Sequence, residues 1–283
     1  TYGIGNGNLR EQLYQITAVI SINRAGLRLC FLTHCANPKP TLGITAPIIG
    51  SVGTEAMKRE WLPDIAAGKR KMCFAITEPD AGSNTHKVST HAVKRGDRWV
   101  INGAKYWTSD IDQSAAVMVV ARDGAPVTDG SRQGLSLFVV PTNTPGISMT
   151  RIDAALRTSE KQFTVFFDNV EVPEDALIGE PGAGLKQVFA GLNPERIAAA
   201  AINNGISRFA IEQGALYAKD RSVWNTPIGA HQGVAHPLAE AYINVQAARL
   251  LNARAAQLCD NGEDAAEIQR QPMCPWFVMC CDY

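Results

Sequence analysis

The chain has 283 residues, with 27 Lys and Arg against 27 Asp and Glu, and 46% of its residues are apolar; at the usual domain size that makes about two domains, each able to bury a core. With 19% charged residues and no net charge, the composition excludes a disordered chain and lacks the basic excess of a wholesale nucleic-acid or anionic-membrane binder. Apolar stretches such as Ala115–Ala121 fall far short of the roughly 20 residues of a membrane span. No cationic start leads into an apolar run, and seven Cys without zinc-type spacing argue for a reducing compartment and a soluble intracellular protein.

Residues 1–71 read as a partial helical domain, with Leu13, Ile16, Val19 and Ile20 at helical spacing. Thr54 is a plausible N-cap for the segment Thr54–Leu62, which turns Trp61 and Leu62 to a core. Residues 72–183 change to period two. His91–Gly103 alternates around Lys94-Arg95-Gly96-Asp97 as a hairpin, Ala116–Ala121 and Leu135–Val140 read as buried strands, and Phe163–Phe167 and Val170–Val172 as two more. Residues 184–270 are helical again. Asn193-Pro194-Glu195-Arg196 reads as a helix start, an N-cap Asn with Pro at the first helical position, and a second long helix runs from about Gln232 to Cys259. The fold class is therefore α+β: N-terminal helices, a central β-domain, then long antiparallel helices.

The ends read as truncated. The chain opens at Thr1 in a Gly-rich turn (Gly3, Gly5, Gly7), as though an earlier element were missing. The tail Gln271–Tyr283 holds three Cys, two Pro and a Trp-Phe pair with no periodicity, and fits a misspliced or frame-shifted end better than a divergent terminus.

Two stretches carry the chemistry. Phe74-Ala75-Ile76-Thr77-Glu78-Pro79-Asp80-Ala81-Gly82-Ser83-Asn84 is a strand running into a turn whose backbone N–H groups could meet an anionic or carbonyl-rich ligand. Asn102-Gly103-Ala104-Lys105-Tyr106-Trp107-Thr108-Ser109 is an Asn-Gly turn followed by aromatics and hydroxyls that could wall a flat heterocycle. Taken singly, an ordinary strand-to-loop connection and a hairpin with core aromatics account for them better. His86, His91 and His236 lack partners at ligand spacing, so no metal site is expected. Cys73 reads as a packed small residue, and Lys69-Arg70-Lys71 as a solvated loop.

Together, at this order and distance, the two stretches resemble the acyl-CoA dehydrogenase family, whose pattern is Thr-Glu-Pro-x-Ala-Gly-Ser followed by Asn-Gly-x-Lys-x-Trp-x-Thr/Ser. Phe166 to Pro173, Gly179 to Gly184 and Arg221 to Gln232 extend the resemblance to about residues 1–270, and it implies that the β-domain is a β-barrel or sandwich and that the long helices form an incomplete four-helix bundle. It implies that Phe74, Ile76 and Thr77 lie on one side of the isoalloxazine of FAD, that Trp107 and Ser109 cover another part, and that Gly82 and Ser83 lie by the pyrophosphate and the CoA portion. It also implies that Arg221, Trp224 and Gln232 reach the FAD of a neighbouring subunit in a homodimer or homotetramer. An Arg is apt for a pyrophosphate. Trp224-Asn225 departs from the family's Phe-Gly, which alters the freedom of that turn.

The reaction the resemblance implies is α,β-oxidation of an acyl-CoA thioester, which belongs to fatty acid metabolism. It needs a base for the α-proton and a hydride acceptor. Glu195 matches the base of the branch that includes isovaleryl- and long-chain-acyl-CoA dehydrogenases; Asn193, Ser83 and Arg196 fall on the substrate side. An acid in a first helical turn is also what the helix dipole favours, by about 0.3–1 kcal/mol. An electron-transfer flavoprotein would reoxidise the flavin, in a bacterial cytoplasm or a mitochondrial matrix. Two alternatives stand beside this: an oxygen-using oxidase or monooxygenase of the same fold, and a truncated non-catalytic chain whose long helices would expose an apolar face on the order of several hundred Å2.

Overall fold

The computed structural model describes residues 40–126, 133–155 and 160–263. The stripe at Leu13, Ile16, Val19 and Ile20, the Gly3-Gly5-Gly7 turn and the Gln271–Tyr283 tail lie outside the described residues. Those described up to Glu195 form one compact unit, and those from Arg196 onward a second.

In the first unit a π-helical segment, Pro40–Thr45, leads into α1 (Ala46–Val52) and then α2 (Glu55–Ala66). Thr54 caps α2 as its sequence predicts: its backbone is extended and its hydroxyl accepts from the Met57 N–H at 3.2 Å. Trp61 and Leu62 are buried, and Arg70 lies 3.7 Å over the Trp61 ring.

The sheet comprises β1 (Met72–Ala75), β2 (His91–Arg95), β3 (Arg98–Ser109), β4 (Ala116–Pro126), β5 (Gln133–Pro141), β6 (Ile147–Ile152), β7 (Gln162–Pro173) and β8 (Leu177–Ile178). Their order is β6-β7-β3-β2-β4-β5-β8, with β1 alongside β4. That path has two ends, so among the described residues the sheet is open and mixed, not a closed barrel. β1 runs parallel to β4, and the continuous apolar run Ala116–Ala121 is what a strand buried on both faces requires. Alternate residues serve two core layers. Met72, Met118, Val120 and Val139 pack with Ile48, Trp61 and Val188, while Cys73, Val117, Val119 and Val140 pack with Trp99, Phe163 and Val165. Burial pushes the Cys73 thiol up to about 12, which makes it the inert packing residue expected.

Three local expectations are corrected. Phe163–Phe167 and Val170–Val172 belong to the single strand β7. Between the pairs Ile101↔Val170 and Gly103↔Phe167 it holds an extra residue, with Asn169 at φ 48° donating its N–H to Asn102 Oδ1 at 2.8 Å. Asn102-Gly103 is therefore a bulge partner inside β3 and not a turn. Likewise, Asn193-Pro194 does not start a helix: α3 spans Gly184–Asp220, with Pro194 inside it. Its opening turns are held by burial, because Leu185, Val188 and Leu192 fall on one face and pack on the first core layer. Pro194 costs the helix one backbone bond that this packing outweighs.

In the second unit the continuation of α3 runs antiparallel to α4 (Gln232–Asp260): Ile197 and Ala201 pack with Ala255 and Ala256, and Asn252 Nδ2 donates to the Ile197 carbonyl at 3.1 Å. Among the described residues, Ile206, Phe209, Leu216 and Tyr217 on α3 and Tyr242, Ile243 and Leu250 on α4 are exposed. Between the helices lies a hairpin of β9 (Ser222–Val223) and β10 (Thr226–Pro227). No described helix is long and apolar enough to cross a membrane.

At Gly103 the sheet backbone leaves no room for a side chain. Here φ is 144°, and a Cβ would lie 2.6 Å from the Thr90 Cα. Gly103→Ala is expected to lower the urea-unfolding free energy by roughly 1–3 kcal/mol. The same change at Gly50, on α1 with nothing within 4 Å of its built Cβ, is expected to be neutral or stabilising.

Candidate functional site

After Ala75 the chain leaves β1, and Phe74, Ile76 and Thr77 remain half-buried. Glu78-Pro79-Asp80-Ala81 then closes as a turn, with the N–H of Glu78 and of Ala81 each donating to the other's carbonyl at 3.1 Å. Gly82 and Ser83 follow on the surface.

The second stretch meets the first directly, because the Tyr106 N–H donates to the Thr77 carbonyl at 2.8 Å. Here β3 is irregular. Lys105 pairs with Val165 and Thr108 with Phe163, so β3 holds one residue more than β7 between these pairs. Trp107 absorbs the excess with φ 58°. A left-handed backbone under a Trp is a true outlier, costing on the order of 1–3 kcal/mol. Its effect is directional: Lys105 and Thr108 both stay inside, while Trp107 is turned out and 48% exposed, edge-on to Tyr106 at 5.2 Å. Ser109 is tied to the next strand, exchanging hydrogen bonds with the Gln162 amide at 3.0 and 3.2 Å.

Beneath this surface lies a feature the motif reading passed over. Lys105 is 0% and Glu78 4% exposed, and they form an ion pair at 2.8 Å. The Lys105 ammonium also donates to the Ile76 carbonyl at 3.1 Å. Glu78 accepts from the Ser89 N–H at 2.7 Å, the Ser89 hydroxyl at 2.6 Å and the Thr90 N–H at 3.0 Å. Burial alone would raise the Glu78 carboxyl, but the Lys105 charge and these donors outweigh it and bring it down to about 2. Burial pulls the Lys105 ammonium down to about 8 against the opposing pull of Glu78. Strand parity marks Lys105 in the sequence, since it falls on the inward set with Trp99 and Ile101. Its partner, 27 residues earlier, has no such mark.

Glu195 closes the first unit. At Gly191, α3 passes the π-helical segment so closely that a Cβ would sit 2.4 Å from the Ile44 carbonyl oxygen. One turn on, the half-buried Glu195 lays its stem beside Gly43, whose built Cβ would lie 3.8 Å from the Glu195 Cγ. Because α3 starts at Gly184, Glu195 is not in a first helical turn, and the dipole no longer accounts for an acid there. Asn193 is half-buried on the same helix. Arg196, Arg221, Trp224 and Gln232 belong to the second unit. Trp224 and Asn225, at φ 52° and 62°, form the two-residue turn between β9 and β10, and Trp224 is 87% exposed at its tip.

Comparison with known proteins bears on the family and the fold. The family model of the acyl-CoA dehydrogenase middle domain matches residues 73–170, and that of the C-terminal domain residues 182–278. Acyl-CoA dehydrogenase FadE12 of Mycobacterium tuberculosis is 51% identical over 78% of this chain and 56% of its own length. A solved glutaryl-coenzyme A dehydrogenase in complex with glutaryl-CoA is 30% identical, with a TM-score of 0.79 over 98% of this chain and 69% of that one. A solved structure described as the electron transferring flavoprotein of Acidaminococcus fermentans is 27% identical, with a TM-score of 0.75 over 86% of this chain and 64% of that one. The chain belongs to the acyl-CoA dehydrogenase family, and it spans about half the length of the curated relatives it matches.

The Glu78 carboxyl has a lower pKa folded than unfolded, so its stabilisation is whole above the ordinary value of 4.5 and is lost as pH falls toward about 2. Between about pH 6 and about pH 3, the wild-type chain is therefore expected to lose on the order of 2 kcal/mol more stability than Glu78→Gln. Urea unfolding of both proteins across that range checks it.

Proposed function

We propose that the chain is an FAD-dependent acyl-CoA dehydrogenase in which Glu195 removes the α-proton of an acyl-CoA thioester. The observation that carries the reading is the meeting of the two motif stretches. Phe74, Ile76, Thr77 and Trp107 offer accessible flat and apolar surface, and Thr77 and Ser109 add hydroxyls beside it. That mixture fits an isoalloxazine, whose rings are apolar on their faces and polar at their edge. Gly82 leaves open space around its Cα, with nothing within 4 Å of a built Cβ, and suits close approach of a phosphate to backbone N–H groups.

FAD, when bound, supplies the acceptor for the β-hydride. Everything else falls to the chain's own side chains. The Glu195 carboxylate takes the proton from the carbon next to the thioester carbonyl, so that loss of a proton from one carbon and a hydride from the next leaves the double bond. The Glu195 stem runs beside Gly43, and the close passage at Gly191 fixes the distance of the helix from that segment. Ser83, Asn193 and Arg196 are assigned to the substrate, with Arg196 helping near the CoA. Arg221, Trp224 and Gln232 are assigned to FAD in a homodimer or homotetramer, and the 87% exposure of Trp224 supports a role in which another molecule covers it. An electron-transfer flavoprotein is the proposed oxidant of the reduced enzyme, in a bacterial cytoplasm or a mitochondrial matrix.

The purified protein is expected to show a visible flavin band that bleaches when one member of an acyl-CoA panel is added without oxygen. In Glu195→Gln the band should remain while bleaching slows by roughly 10²- to 10⁴-fold. A colourless protein that takes up no added FAD would overturn the reading.

A further inference from the structure

We propose that the Lys105–Glu78 pair is the positioning device of the flavin site: it fixes Ile76–Thr77 against Tyr106–Trp107 and thereby holds Trp107 in its outward, left-handed conformation. This rests on the flavin reading above. Three observations carry it.

The first is where the pair's hydrogen bonds go. Beyond Ala75 the chain has left the β1 ladder, and it is bound to β3 by the Tyr106 N–H on Thr77 and by the Lys105 ammonium on Ile76 and Glu78. Lys105 thus reaches the residues on both sides of Thr77 while its own backbone sits at the edge of the bulge. The second is the carboxylate's other face. By taking Ser89 and Thr90, Glu78 closes the neck of the loop that carries Gly82 and Ser83, so one ion pair ties three chain segments. The third is Trp107 itself. A strained backbone persists only where its neighbours over-determine it, and the inward residues flanking this one are Lys105 and Thr108. Losing the fixed position of Lys105 lets the bulge slip by one residue, which would exchange the faces of Tyr106 and Trp107.

A purely structural pair behaves differently, because a buried ion pair can be replaced by uncharged groups of the same shape at little cost in stability. The test is the double variant Lys105→Met/Glu78→Gln. It keeps the volume and leaves no unpaired charge, whereas either single change leaves one. Three quantities are read: thermal stability without FAD, hydrogen exchange at the Tyr106 amide without FAD, and FAD affinity with the flavin absorption spectrum.

The double variant is expected to melt near the wild type, to exchange the Tyr106 amide about tenfold faster or more, and to bind FAD about tenfold more weakly with a less structured flavin band. Ser89→Ala, which removes one surface donor from Glu78 and leaves the core intact, should shift exchange and affinity the same way by about threefold. Unchanged Tyr106 exchange in both variants overturns the proposal whatever FAD does. So does FAD affinity that recovers in step with stability on going from the single to the double change. Wild-type protein that binds no FAD overturns the flavin reading and the role built on it, while the Tyr106 exchange still reports separately on the clamp.

Discussion

Two opposite charges taken out of water hold the site's two walls together. Dehydrating a carboxylate and an ammonium costs several kcal/mol each after relaxation, and their attraction repays that only when the remaining valences are also met. Here they are. Glu78 receives the Lys105 ammonium, two backbone N–H groups and a hydroxyl, and Lys105 spends a further hydrogen on the Ile76 carbonyl. An apolar pair of the same size would fill the space but would not specify which carbonyl lies where. The direction of the bonds, more than their energy, is what the surrounding geometry needs, because an irregular strand and a departing strand meet here with few ladder bonds between them.

Much of the fold was legible in the sequence because its elements obey local rules. Thr54 caps a helix by the position of one hydroxyl, the turn at Gly96 joins two alternating strands, and the unbroken apolar run at Ala116 sits in the doubly buried strand. Misreadings fell where tertiary packing overrules a local sign. Asn193-Pro194 carries the chemistry of a helix start, yet two turns before it are already helical because Leu185, Val188 and Leu192 are buried. Asn102-Gly103 has the composition of a hairpin turn, but β7 supplies a partner across it and the pair becomes half of a bulge.

The site divides in the same way. The two motif stretches could be recognised because they carry particular residue types at fixed spacing. What brings them together could not, since a pairing between Glu78 and Lys105 depends on the path of the sheet between them. The positive φ at Trp107 was equally hidden: no propensity favours it, and it arises from a count of residues on two strands that only the register reveals.

The close passage of α3 over the π-helical segment bears on how sequence variation in such chains is read. Gly191 has no side chain to offer a substrate, but a methyl group there would meet the Ile44 carbonyl oxygen at 2.4 Å and push the helix outward. Glu195 lies on the same face one turn later, so the displacement would be delivered to the carboxylate. In a survey of tolerated residues Gly191 would thus score like a participant in the chemistry, although what selection guards there is the distance between two backbones.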